Sequence, residues 1–320
     1  MRRGRPSTRR EPAGRPTNNR FVPRNPLAVT RDMKSLRLTT PAFATAFVFV
    51  AIALVFGQQY LPGEPQHKAG ASITAAFEGW FANRDGSYSL LIGYMNRNQT
   101  QALDIPIGPS NKFEPGAIDR GQPTHFLPGR QWGMFVITLP KNYPPTQQIS
   151  WTIAANGQAT TVPFYLHRDY EVSPFLGILE NTPPVLRFAE NGPAAQGPVA
   201  MTVERSTEAN TPLSLTVWVS DDGKLTSAQA RTPPRNRDPV SLVWSKFRGP
   251  GTVTFEKDKP KVEKTSAEGE AGISGKATTT ITFSEAGDYV LHLTVNDYSG
   301  VGGGGFQCCW TTGLVNVKVK

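Results

Sequence analysis

The sequence predicts an all-β body of about 260 residues behind a membrane-targeting segment. Three observations carry that expectation. The chain has 28 prolines and 30 glycines, and they punctuate short runs rich in valine, isoleucine, threonine and aromatic residues. Those runs alternate apolar and polar side chains with a period of two, the pattern of half-buried antiparallel strands. After Gly57 no stretch carries an apolar stripe at helical spacing, so sandwiches or barrels are expected rather than a parallel sheet.

The N-terminal 57 residues read differently. Residues 42–57 (AFATAFVFVAIALVFG) are apolar but for Thr45. Residues 1–38 hold eleven of the 34 basic side chains and two of the 25 acidic ones, so the remainder balances at 23 of each. A basic surface of the kind that binds nucleic acid is therefore not expected of the body. Positive charge before an apolar segment keeps that flank in the cytoplasm, which puts residues 58–320 on the extracytoplasmic side. Two readings of the segment compete. In one, residues 1–38 are a disordered basic tail and residues 39–57 are a transmembrane anchor. In the other, translation begins at Met33, MKSLR is the basic start of a signal peptide, and cleavage before Gln58 releases the body to the periplasm or exterior. The 16-residue run is shorter than the roughly 20 apolar residues that span a bilayer, which favours the second reading slightly.

The body divides into two expected modules: residues 72–170 and 185–320, each of ordinary domain size, joined by a linker over 171–184 and preceded by one over 58–71. In the first, Tyr88, Leu90, Ile92 and Tyr94 share a face, and Ile149, Trp151 and Ile153 alternate with Gln148, Ser150 and Thr152. In the second, Leu213, Leu215, Val217 and Val219 oppose Ser214, Thr216 and Trp218. Tyr289, Leu291, Leu293 and Val295 oppose Val290, His292 and Thr294, and Val315, Val317 and Val319 close the chain. Residues 224–239 and 256–276 lack apolar periodicity and are expected to be mobile loops.

The stretch FSEAGDYVLHLTVNDYSG, residues 283–300, resembles the penultimate strand region of bacterial immunoglobulin-like and PKD-type modules. The likeness rests on Gly287, Asp288 and Tyr289, the alternating Leu291, Leu293 and Val295, and Asp297 at the strand end. Residues 213–223, running into Asp221-Asp222-Gly223, look like an early strand of the same plan. The resemblance covers residues 183–320 and implies an immunoglobulin-like β-sandwich in which the Tyr289 hydroxyl bonds back to the preceding turn. No family is recognised for the first module.

Candidate sites are few. Asp221, Asp222 and Asp297 sit at strand ends and are thin candidates for Ca²⁺, which takes six or more oxygens; Asp221-Asp222-Gly223 reads equally as a turn. Cys308 and Cys309 are the only cysteines. Neighbouring Cα atoms lie about 3.8 Å apart, below the roughly 4.4–6.8 Å of ordinary disulfides. The pair therefore either packs as free thiols, closes a strained vicinal bridge, or meets a soft metal or a second chain. Trp218 and Trp310 are the surface aromatic candidates for a sugar or protein contact. The four histidines are far apart in sequence, no G-x-S-x-G elbow occurs, and residues 269–277 miss the phosphate-loop spacing. No catalytic residue and no cofactor are assigned. The expectation is an exported, non-catalytic envelope protein that binds a protein or a glycan; the alternatives are an accessory or degenerate hydrolase and a tethered subunit of a membrane complex.

Overall fold

The computed structural model describes residues 67–177, 180–224, 240–265, 272–297 and 308–320. The basic tail, the apolar run, Met33, Gln58, residues 225–239 and residues 298–307 lie outside those residues. Among the described residues, no helix is long and apolar enough to cross a membrane. Arg168–Tyr170 forms a 3₁₀ turn, and the other elements named below are strands.

The first half contains β1 (Ile73–Ala82), β2 (Tyr88–Asn96), β3 (Leu103–Asp104), β4 (Asn111–Glu114), β5 (His125–Phe126), β6 (Gly129–Leu139), β7 (Ile149–Ala155) and β8 (Gln158–Phe164). Strands β1-β2-β6 form one sheet, β4-β7-β8 another, and β3 pairs β5. The alternation in β2 and β7 places Leu90, Ile92, Tyr94, Ile149, Trp151 and Ile153 in one shared core with Phe113, Phe126 and Phe164. The polar tips of Tyr94 and Trp151 are partnered. The Tyr94 hydroxyl accepts from Leu127 N at 2.7 Å, and the Trp151 indole N–H donates to Asn111 Oδ1 at 2.9 Å. Neither burial therefore strands a polar group.

The second half contains β9 (Val185–Arg187), β10 (Ala195–Gln196), β11 (Met201–Thr207), β12 (Leu213–Asp221), β13 (Ser241–Arg248), β14 (Val253–Phe255), β15 (Glu263–Lys264), β16 (Ile273–Phe283), β17 (Gly287–Asn296) and β18 (Trp310–Val319). One sheet runs β10-β9-β12-β16-β14 with β15 on β16, the other β11-β18-β17-β13. Strand β11 lies parallel to β18 while β9 pairs β12 antiparallel, so the chain entering this half serves both sheets. Leu215, Val217 and Val219 of β12 meet Leu291, Leu293 and Val295 of β17 and Val315, Val317 and Val319 of β18 in a second core. The Tyr289 hydroxyl donates to Glu285 O at 2.9 Å and accepts from Gly251 N at 3.1 Å, the bond to the preceding turn that the immunoglobulin-like resemblance implies.

Residues 256–276, expected to be an unpatterned loop, instead carry β15 and the first residues of β16. The buried positions at that end of β16 are Gly275 and Ala277, too small to register as an apolar stripe. A Cβ on Gly275 would stand 2.5 Å from both Glu263 O and a Val262 methyl carbon, so only glycine lets β15 close on β16 at that point.

The segment Gly63–Lys320 is one compact unit, because the outer face of the β1-β2-β6 sheet is covered rather than solvated. Phe81 and Leu91 point outward from the first core and pack with Trp310 of β18, flanked by Val136 and Val172. His292 of β17 is buried by the same contact. Its Nε2–H donates to Met134 O at 3.0 Å and its ring stacks on Phe247 at 5.6 Å. Burial holds the imidazole neutral, its pKa lowered to about 4.

Candidate functional site

Two places gather the chemistry of this chain. The first is a cleft of about 880 Å³ between the two cores, lined in part by Gln131, Trp244, Thr252, Lys259, Ser284 and Glu285. Part of its lining is held by paired polar groups. Asp104 of β3 binds His125 Nδ1 of β5 at 2.9 Å and Lys246 Nζ of β13 at 3.1 Å. Lys246 is 8% exposed, and its ammonium also donates to Gly251 O at 2.8 Å. Beside it, Arg248 donates to both carboxylate oxygens of Asp119, at 2.9 and 2.7 Å, and through Nε to Gln122 O at 2.7 Å. The Arg248 hydrogen bonds hold the Asp119 carboxyl below its ordinary range. Strand β13 is thereby clamped to the first half, and the rest of the lining mixes hydroxyls, an amide and charges with apolar side chains such as Leu127, Trp244 and Phe255.

The second place is the end of the second half where β12 and β17 finish. Here the structure brings together residues the sequence separates widely. Asp221 and Asp297 are 8% and 3% exposed, close enough for the Asp297 charge to bear on Asp221. Asn181 Nδ2 donates to Asp297 Oδ2 at 2.6 Å, and Thr182 Oγ1 donates to Asp222 Oδ2 at 2.9 Å. The turn reading of Asp221-Asp222-Gly223 also holds: Asp221 Oδ1 accepts from Gly223 N at 2.9 Å and Asp222 Oδ1 from Lys224 N at 3.0 Å. Among the described residues, no group of three or more His, Cys, Asp or Glu side chains is placed to hold a metal ion; the donors that converge are carboxylates and an amide. Asn181 cannot be picked out from the sequence, because an asparagine shortly before two prolines carries no signal of its own.

Burial raises the Asp221 carboxyl to about 7, with the charges of Asp297 and Asp222 pushing the same way and the Gly223 N–H opposing. A folded-state pKa above the unfolded value means that the native state holds the proton more tightly. Stability from this group is therefore complete below the unfolded value of 3.8 and lost as pH rises towards 7. With a chelator present, Asp221→Asn should be more stable than the native chain at pH 8, by up to about 4 kcal/mol, and no more stable at pH 4. Urea unfolding at both pH values checks this; equal effects at both would show that the charge is not what matters.

Cys308 and Cys309, buried at 6% and 1% exposure, are joined by a disulfide across a cis peptide bond. Cys309 Sγ lies 3.6 Å from Asn181 O, so the bridge borders the acidic pocket. Trp310 is not a surface residue. At 2% exposure it fills the seam between the halves, because the first half covers the outer face of its sheet. Trp218 is half-buried on the outer face of β12, between the strand positions of Arg187 and Lys276. It lies in neither the cleft lining nor the acidic pocket.

No family model matches the chain, and no curated protein sequence matches it. Solved structures that it resembles are β-domains of distant sequence. The PapD-like domain 7 of human CEP192 is 10% identical with a TM-score of 0.22, over 49% of this chain and 98% of that one. The D00-D0 domain of intimin is 10% identical with a TM-score of 0.23, over 77% and 98%. A mutant of the enterotoxigenic E. coli adhesin CfaE is 9% identical with a TM-score of 0.21, over 81% of each chain. At these scores the likenesses carry no argument about ligand or activity.

Proposed function

We propose that this chain is a non-catalytic binding protein of the cell envelope, directed there by residues 39–57, which presents two β-sandwich modules to a protein or glycan partner on the extracytoplasmic side. The observation that carries the reading is the cleft of about 880 Å³ between the cores, which falls within the volume range of ligand clefts. Asp104, His125 and Lys246 in its lining are occupied in holding β13 to β3 and β5, while Thr252, Ser284, Gln131 and Glu285 add further polar groups to that lining.

The test uses the full-length chain in detergent against purified envelope polysaccharide and against envelope proteins resolved by size. Thr252→Trp, at an exposed position where the indole would fill the mouth, should weaken binding at least tenfold. Binding left intact by that variant would remove the cleft from the proposal. Protease treatment of intact cells checks the location: digestion of the body after the outer layers are opened is expected, and a protected cytosolic body would end the envelope reading.

A further inference from the structure

Buried polar atoms without partners are rare in folded proteins, and each one asks for an occupant. The pocket at the end of β12 and β17 has two. Asp221 Oδ2 and Asn181 Oδ1 are buried with no hydrogen-bond partner, on side chains that are 8% and 1% exposed. Asn181 lies against Asp297 through its amide nitrogen, which keeps its oxygen within the same pocket. Among the described residues Asp221 has no ion-pair partner; the nearby Lys224 approaches Glu180 and Asp222 instead, at 3.7 and 3.9 Å. A carboxylate held out of water beside a second carboxylate is costly, and it is neutralised by a proton or by a bound ion.

We propose that Asp221, Asp297 and Asn181 bind a hard divalent cation, Ca²⁺, at this end of the second sandwich. The donors are carboxylate and amide oxygens, and the sulfur atoms beside them are tied in the Cys308–Cys309 bridge, so a thiolate-seeking metal has no ligand here. Ca²⁺ accepts an irregular oxygen set completed by water, where Mg²⁺ demands near-ideal octahedral geometry. The cation would take up the two orphan oxygens and at the same time offset the repulsion between Asp221 and Asp297. Because residues 180–182 enter the site from the linker while Asp221 and Asp297 close β12 and β17, the ion would fix the linker to the sandwich end. The site stands whatever the cleft binds.

Equilibrium dialysis of the full chain in detergent with ⁴⁵Ca²⁺ at pH 7.5 is the direct test. One ion per chain is expected, with affinity at least tenfold lower in Asp221→Asn and unchanged in Asp288→Asn, a control at an exposed carboxylate of β17. Saturating Ca²⁺ should raise the unfolding midpoint of the native chain by roughly 5 °C or more and leave that of Asp221→Asn in place. Should Asp221→Asn not fold, Asp297→Asn makes the same comparison. A native chain that binds no Ca²⁺ overturns the proposal and leaves buried water or a proton as the occupant. Binding that both carboxylate variants retain places the ion elsewhere and overturns it equally.

Discussion

Trp310→Ala should cost the chain about 3–5 kcal/mol, the range for removing a fully buried large aromatic side chain. The indole is 2% exposed and packs on Phe81 and Leu91 of the first half. The fit is close on its other edge too. A Cβ on Gly133 would stand 2.2 Å from Trp310 Cζ2, so the backbone of β6 approaches the ring at a distance only glycine permits. Gly133 also adopts a φ of 53°, within the bulge where Tyr94 pairs Gln131 but Ile92 pairs Phe135. Opening this contact removes apolar burial from both halves. The variant should therefore unfold in two separable transitions and the native chain in one, and far-UV circular dichroism in urea reads both effects. Trp218→Ala, on the outer face of β12, should cost no more than about 1 kcal/mol. A larger loss at Trp218 than at Trp310 would mean that the seam is not where the two halves are coupled.

Arg130→Met should destabilise strongly at high pH and weakly at low pH. Glu78 sits at the bulge of β1 between Phe77 and Gly79, with its side chain 1% exposed. Its carboxylate lies over Gly93 of the middle strand, where a Cβ would be 2.1 Å from Oε1. It reaches Arg130 Nη2 at 2.8 Å and accepts Gly133 N–H at 2.7 Å. Burial raises Glu78 from 4.5 to about 7, although Arg130 and the Gly133 N–H pull it down. The native chain thus loses stability as pH rises from 4.5 through 7. Without Arg130 the carboxyl moves further up, and the loss continues to higher pH. At pH 8.5 the variant leaves a buried carboxylate without its cation, for an expected cost of about 3–5 kcal/mol. At pH 5.5 Glu78 is protonated in both chains. What remains there is the guanidinium's stacking on Trp132, 3.8 Å from the ring centre, and its hydrogen bonds to Tyr94 O and Gln131 O, together about 1–2 kcal/mol. Denaturant midpoints at the two pH values give the comparison. The same loss at both would show that Arg130 acts through packing alone.

Trp310 and Glu78 are residues whose importance the sequence conceals, and for different reasons. Trp310 begins a strand and alternates correctly, but alternation says only which face a residue takes. It cannot say that the outer face of one sheet is covered by another sheet from far earlier in the chain. The same blindness puts His292 on an outer face, where the structure buries it against Met134 and Phe247. Glu78 does leave a signal: a lone acid within the apolar run FEGWF is either a solvated edge residue or a partnered buried one. Choosing between them needs Arg130, 52 positions on.

The acidic pocket is half legible. Asp221, Asp222 and Asp297 stand out because strand ends with carboxylates are short-range patterns. That Asp221 and Asp297 meet, and that Asn181 joins them, follows from sheet order: β12 and β17 lie in opposite sheets and end at the same edge of the sandwich. Lys246, Asp104 and His125 are invisible as a set for the same reason, since 142 positions separate the lysine from its aspartate.

What the amino-acid order determined by itself was local: period-two faces, the strand class of the body, the Tyr289 turn, and the charge asymmetry that sets residues 1–57 apart from a balanced remainder. These depend on neighbours within a few residues, where backbone geometry translates spacing directly into direction. Tertiary structure decided which faces are shared, which polar atoms are stranded and which charges are paired. Those outcomes depend on the register between segments far apart in the chain, and no local spacing encodes it.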